Sequence, residues 1–185
     1  MRITKPTPQR RHIYLSIATI STDPDDIAGA FSSLTGRIVC ISMLIDDGRK
    51  ISELRLVTDR DEGDLLNGFW TAVRLTDRFI GSCVSGFTLP FILQRTWILN
   101  IRPVAVIDEF SRSISETDLC EMFHVTARNV FDEEQQKVIE KHWKLGEIAH
   151  LSCLCQERTR EDYESHCMFL NRPLPVRFVE LGVTL

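Results

Sequence analysis

The stretch Arg78 to Ile101, RFIGSCVSGFTLPFILQRTWILNI, decides the fold. Arg78 to Cys83 reads as a buried strand, Val84 to Phe87 as a glycine-bearing turn, and Thr88-Leu89-Pro90 as the opening of a helix. Thr88 is a good N-cap, and Pro90 falls in the first helical turn, where a missing N–H leaves nothing unpaired. Beyond it Phe91, Ile92, Trp97, Ile98 and Leu99 are apolar while Gln94 and Arg95 are polar, a helical rather than alternating spacing. A strand that stops at a glycine and feeds a capped helix builds the upper edge of a sheet in an α/β protein, where sites gather.

Upstream of this stretch the chain is strand-rich. Residues 1–11 form a polar, proline-containing basic tail, expected to be mobile. His12 to Ile20 and Arg37 to Ile45 are continuous apolar, β-branched runs, which predicts two strands buried on both faces. Ser21 to Thr35 holds the turn Asp23-Pro24-Asp25-Asp26 and a weakly helical or looped piece. Asp46-Asp47-Gly48-Arg49 is a hairpin turn, with Asp-Gly supplying positive φ. Lys50 to Val57 alternates polar and apolar, as a half-exposed strand near the sheet edge does. Glu62 to Asp77 places Leu65, Leu66, Phe69, Trp70, Val73 and Leu75 on one face of a helix with acidic residues at its start.

Downstream the chain is helix-rich. Pro103 to Ile107 is a short apolar run with strand character, and Ser115 to Val125 reads as a short helix opened by Ser-Glu-Thr-Asp. Phe131 to Trp143 and Glu147 to about Leu170 are two further helices separated at Gly146. Pro173 to Leu185 ends in alternating Val176, Phe178 and Val183, an added edge strand. The string predicts an α/β domain spanning 12–185, with a mixed sheet of antiparallel hairpin strands plus parallel strands, flanked by helices.

Composition narrows the function classes. The 185 residues are 43% hydrophobic and 26% charged, the values of an ordinary globular domain. The net charge of −4 and pI near 5.7 exclude a broadly nucleic-acid-coating surface, although not a local basic groove. No run is long and apolar enough to span a membrane, and the N-terminus lacks the apolar core of a secretory signal. The six scattered cysteines read as reduced thiols of a cytoplasmic protein.

Three features of the order carry a resemblance: the hairpin sheet, the run Gly36 to Ser42 (GRIVCIS), and Ile80-Gly81-Ser82-Cys83-Val84-Ser85-Gly86-Phe87-Thr88-Leu89-Pro90-Phe91-Ile92-Leu93-Gln94-Arg95. Together they resemble the DEDD 3′–5′ exonucleases of the ribonuclease H-like fold. The nearest group is the bacterial exonucleases similar to the proofreading domain of family B DNA polymerases. The resemblance covers about residues 12–165, with the middle motif its most specific part. It implies a ribonuclease H-like sheet and phosphodiester hydrolysis by two Mg²⁺ or Mn²⁺ ions roughly 4 Å apart. Such hard cations need carboxylate oxygens.

The family motif carries those carboxylates at positions that here are Ser16, Ala18 and Thr88, with Cys83 in place of the Asn of the middle motif. The last carboxylate, four residues after a Tyr on a helix, falls on Cys155 with Leu151 at the Tyr, or on Gln156 in the off-by-one register. All four carboxylates are missing. The resemblance therefore implies a vestigial cleft built from Ser16, Ala18, Cys83, Phe87, Thr88, Leu151 and Cys155, with no metal or other cofactor. It implies a pseudoenzyme that binds single-stranded nucleic acid or a protein partner. The alternative is an active exonuclease with displaced ligands, for which Asp23, Asp26 and Glu157 are candidates.

Other constellations have plainer readings. Cys153, Cys155, His166 and Cys167, with His150 near, have zinc-ligand chemistry, but residues 153 and 155 point apart on one helix, so buried structural thiols are expected. Asp23, Asp25 and Asp26 read as turn and cap residues. Trp70, Trp97 and Trp143 read as core residues of apolar helix faces. His12, His124 and His142 stand isolated in the sequence, and no Ser–His–Asp or Cys–His arrangement is legible.

Overall fold

A computed structural model describes residues 11–58, 60–74, 77–102, 115–123, 133–174 and 179–182. The basic tail up to residue 10, the apolar run Pro103 to Ile107, and Val176, Phe178 and Val183 lie outside the described residues.

The centre of the sheet is β1 (His12–Ser21). Its run HIYLSIATIS is buried on both faces, which is why it is apolar throughout instead of alternating. β1 pairs antiparallel with β2 (Gly36–Asp46), and β2 antiparallel with β3 (Ile51–Val57). On its other side β1 pairs parallel with β4 (Arg78–Gly81), and β4 parallel with β5 (Ser115–Asp118). A final strand, β6 (Val179–Gly182), adds in parallel to β3, so the six strands run β5-β4-β1-β2-β3-β6. Only β2 runs against the others. The β3-β2-β1-β4-β5 core with that one reversed strand is a ribonuclease H-like mixed sheet, as expected.

The β2–β3 turn departs from the Asp-Gly expectation in one respect. Only Gly48 takes positive φ, at 79°, while the Asp46 and Asp47 carboxylates cap the N–H groups of Gly48, Arg49 and Lys50. A four-residue connection needs one left-handed position, where a two-residue type I′ turn needs two.

Successive β1 residues feed opposite layers. Ile13, Leu15 and Ile17 pack with α1 (Glu62–Ala72) and α2 (Leu89–Ile98) through Leu65, Leu66, Phe69, Trp70, Phe91 and Ile92. Tyr14, Ala18 and Ile20 pack with the long helix of the other face. The two strands flanking the β1–β4 seam are pressed together at Gly81. A Cβ there would stand 2.7 Å from the Leu15 carbonyl oxygen, so only glycine fits.

Several boundaries moved from their expected places. The strand from Arg78 ends at Gly81, and Cys83 already has left-handed backbone (φ 55°, ψ 32°) at the head of a π-helical turn, Val84–Thr88. Thr88 is itself helical and caps nothing with its side chain; its N–H bonds the Cys83 carbonyl instead. Entry through a wound turn leaves no extended N-cap residue for a hydroxyl to serve. Ser115–Asp118 is strand, and only Leu119–Met122 (α3) is helix. The Ser-Glu-Thr-Asp cluster does mark a helix start, but the working cap is its last member: Asp118 accepts from Cys120 N. The remaining helices are α4 (Glu133–Lys144) and α5 (Ile148–Phe169). Among the described residues, no helix is long and apolar enough to cross a membrane.

Candidate functional site

α5 lies across the face of β1 and β2 on which the even-numbered β1 residues emerge. Two of those residues, Ser16 and Ala18, are small, and the helix comes down onto them. The Cys155 thiol lies 3.4 Å from the Ser16 carbonyl oxygen and 3.7 Å from its hydroxyl. Leu151, one turn earlier, packs with Ala18, Cys40 and Cys155. A β-bulge interrupts the β1–β2 register here: Ala18 faces Cys40 and Thr19 faces Ile38, leaving Val39 unpaired in the count. Val39 and Cys40 both join the layer under α5 as a result.

Beside these contacts opens a cleft of about 220 Å³, lined by Ser16, Ile17, Ala18, Leu151 and Cys155 from the floor. Val138, Ile139 and Leu154 form an apolar wall, and Gln135, Glu157, Arg158 and Glu161 its polar rim. Arg158 Nη2 donates to Gln135 Oε1 at 3.3 Å, bridging α5 to α4 across the rim. Its charge reaches further: it favours the ionised forms of Cys155, Cys83 and Asp162. Cys155 of the floor pairs with the fully buried Cys40, which does not line the cleft. Hydrogen bonding between Cys40 and Cys155 pushes the Cys40 thiol well up, with burial adding to it, and draws Cys155 down.

The structure thus brings Ser16, Ala18, Leu151 and Cys155 together and puts the other three predicted residues elsewhere. Phe87 faces the opposite layer, against Phe91 at 5.2 Å and Phe31 at 6.4 Å between ring centroids. Thr88 is buried in the π-helical turn beside β1. Cys83 turns its sulfur to Cys120, 3.2 Å away. Between the two registers of the last motif, Cys155 faces Ser16, whereas Gln156 reaches β3 and donates to Glu53 Oε2 at 2.5 Å.

The donor set does not fit the two hard divalent ions of the resembled family. A hydroxyl, a methyl group and a thiol meet at the cleft floor, and none supplies the anionic oxygens that hold Mg²⁺ or Mn²⁺. Of the suggested substitutes, Glu157 stands on the rim, and Asp23 and Asp26 do not line the cleft. Asp23 instead accepts from Asp25 N at 3.0 Å, as a turn residue does. Among the described residues, one group of three His, Cys, Asp or Glu donors lies within 4.8 Å of one another: Cys83, Asp118 and Cys120, outside the cleft.

Other expectations are revised by position. Cys153 is exposed, so the thiols of α5 are not uniformly buried, although Cys155 and Cys167 are. Trp97 is 64% exposed, while Trp70 is core and donates to Thr96 Oγ1 at 3.0 Å. His142 is not isolated: it stacks on His150 with ring centroids 4.1 Å apart and bonds Glu147. His124 lies outside the described residues.

The wall residue Leu154 and the rim residues Arg158 and Glu161 escaped the sequence reading, though helical spacing from Leu151 would have found them. Asp162, also unflagged, is buried on α5 and holds Ser82 through its N–H at 2.9 Å and hydroxyl at 2.6 Å. Burial pushes its carboxyl up, against the pull of those two hydrogen bonds. No known family model matches the chain, and no characterised protein matches it in sequence.

Proposed function

We propose that this chain is a non-hydrolysing relative of the DEDD 3′–5′ exonucleases that works as a binding module, its cleft receiving a segment of a protein partner. One observation carries the reading: Ser16, Ala18 and Cys155 meet on one cleft floor, and the Cys155 sulfur packs against Ser16. A pair of metal ions and an attacking water would need that volume and its missing negative charge.

The character of the cleft favours a protein over a nucleic acid. Its rim carries one cation, Arg158, against two anions, Glu157 and Glu161, for a net charge of 1 − 2 = −1. A groove that tracks phosphates is positive and flanked by stacking aromatics. Here the wall is Val138, Ile139 and Leu154, suited to an apolar side chain with a basic neighbour for the glutamates. A cytoplasmic setting belongs to the same proposal, since all six cysteines are free thiols.

The first test is catalytic. Purified protein incubated with labelled single-stranded DNA or RNA and Mg²⁺ or Mn²⁺ is expected to leave the substrate intact. Turnover that EDTA abolishes and Glu157→Gln removes would establish instead an active nuclease with displaced ligands. The second test is selection from a random peptide library. Bound peptides are expected to carry an apolar anchor and to lose at least ten-fold in affinity with Leu154→Asp. Tight single-strand binding that weakens steeply with salt would favour the nucleic-acid partner instead.

A further inference from the structure

The β4–α2 turn and the β5–α3 corner meet at a second constellation that the cleft does not use. Cys83 leaves β4 with left-handed backbone, φ 55°. A cysteine there costs about 1 kcal/mol or more that glycine would avoid. Its sulfur lies 3.2 Å from that of Cys120, and both residues are buried. The Asp118 carboxylate completes a triangle whose donor atoms are all within 4.8 Å of one another.

Asp118 is held for this position from several sides. It accepts from Cys83 N at 3.1 Å, Cys120 N at 2.9 Å, Ser85 N at 3.1 Å and the Ser85 hydroxyl at 2.8 Å. Ligating carboxylates are characteristically fixed by such hydrogen bonds. Of the four donors the hydroxyl alone can rotate away, freeing a lone pair without orphaning a backbone N–H. Asp118 and Ser85 also line an open groove with Arg78, Glu116, Thr117, Glu121 and Met122, which gives access from solvent.

We propose that Cys83, Cys120 and Asp118 bind a single thiophilic divalent cation of the zinc type, with the fourth coordination position toward the groove. Two thiolates select against Mg²⁺ and Ca²⁺ and for zinc. The sulfurs need to move less for this than for a disulfide. Tetrahedral coordination at about 2.3 Å per Zn–S bond sets the two sulfurs about 3.8 Å apart, an opening of roughly 0.6 Å from their present separation. A disulfide needs them at about 2.05 Å, a closure of roughly 1.1 Å. Binding displaces the thiol protons, so affinity rises with pH.

The test is titration of the full chain, stripped with EDTA under a phosphine reductant, with Co²⁺ and then Zn²⁺. One equivalent of Co²⁺ is expected to give tetrahedral d–d bands and a thiolate-to-cobalt charge-transfer band of two-sulfur intensity, both abolished by Zn²⁺. Cys83→Ser and Cys120→Ser should each weaken binding at least a hundred-fold, and Asp118→Asn ten- to a hundred-fold. Cys153→Ser, at an exposed thiol, should change nothing. The wild-type spectrum keeps the test decisive if a variant fails to fold. A spectrum without sulfur ligation, binding that survives Cys83→Ser with Cys120→Ser, or a Cys83–Cys120 disulfide forming in the presence of equimolar Zn²⁺ would overturn the proposal.

Discussion

At the scale of single residues, the packing under α5 sets a pH dependence. His166 is buried, and its Nδ1 meets the Tyr14 hydroxyl at 2.7 Å. Burial holds its pKa below the ordinary value, with His12, Arg78 and Arg172 reinforcing that. The unfolded chain then takes up this proton near pH 6.5, before the folded chain does. Acidification below that point therefore favours unfolding, and the loss is complete below the folded pKa. Asp162 works in the opposite sense, because its carboxyl is held above the usual range and acid favours its folded form. A difference measurement separates them. His166→Gln keeps an acceptor for Tyr14, and its urea midpoint should fall less than the wild-type midpoint between pH 7 and pH 5. Equal falls would remove His166 as the source.

At the scale of elements, one ion pair ties three of them together. Glu62, in the first turn of α1, and Arg95, in α2, meet at 2.5 Å with side chains 6% and 10% exposed. Glu62 also accepts from Ile38 N of β2 at 2.8 Å, and Arg95 donates to the Ser33 carbonyl at 3.0 Å. Removing one charge strands the other. Glu62→Gln should cost about 3 kcal/mol in urea unfolding, and Glu62→Gln with Arg95→Met should recover part of that loss. Arg95 was legible beforehand only as a framework position of the resembled motif; its partner was not, since sequence spacing says nothing about which helices cross. The same limit explains the uneven reading of the strands. β1 and β2 announce themselves because burial on both faces makes them apolar throughout. β5 is SETD, and it pairs with β4 through backbone bonds and a polar Arg78 Nε–Thr117 Oγ1 contact of 2.8 Å, leaving no hydrophobic pattern to read. In the cleft, Ser16, Ala18, Leu151 and Cys155 were legible only through the resembled motifs, whose strand and helix spacings put each pair on one face. Cys83, Phe87 and Thr88 do not reach that floor, because the backbone winds into a π-helical turn where a strand end and a capped helix were expected.

At the scale of the molecule, the sheet is built from its middle outward in chain order: β1, β2 and β3, then β4 and β5 on one flank, and finally β6 on the other. Until β6 docks, the outer edge of β3 has its backbone groups unpaired from Ser52 to Arg55. An open edge recruits another strand. A variant ending at residue 174 should therefore elute from a sizing column at a size that grows with concentration, while the full chain elutes at one size. A truncated chain that stays at one size across the same range would show that β3 tolerates exposure.

The placement of β6 also bears on how the chain is made. A ribosome releases the β2–β3 hairpin before the segment that shields it, so the nascent sheet waits with one unprotected flank until Val179–Gly182 emerges. Chaperone engagement during that interval is where a defect in Val179–Gly182 would first be felt, as lost yield more than as lost stability.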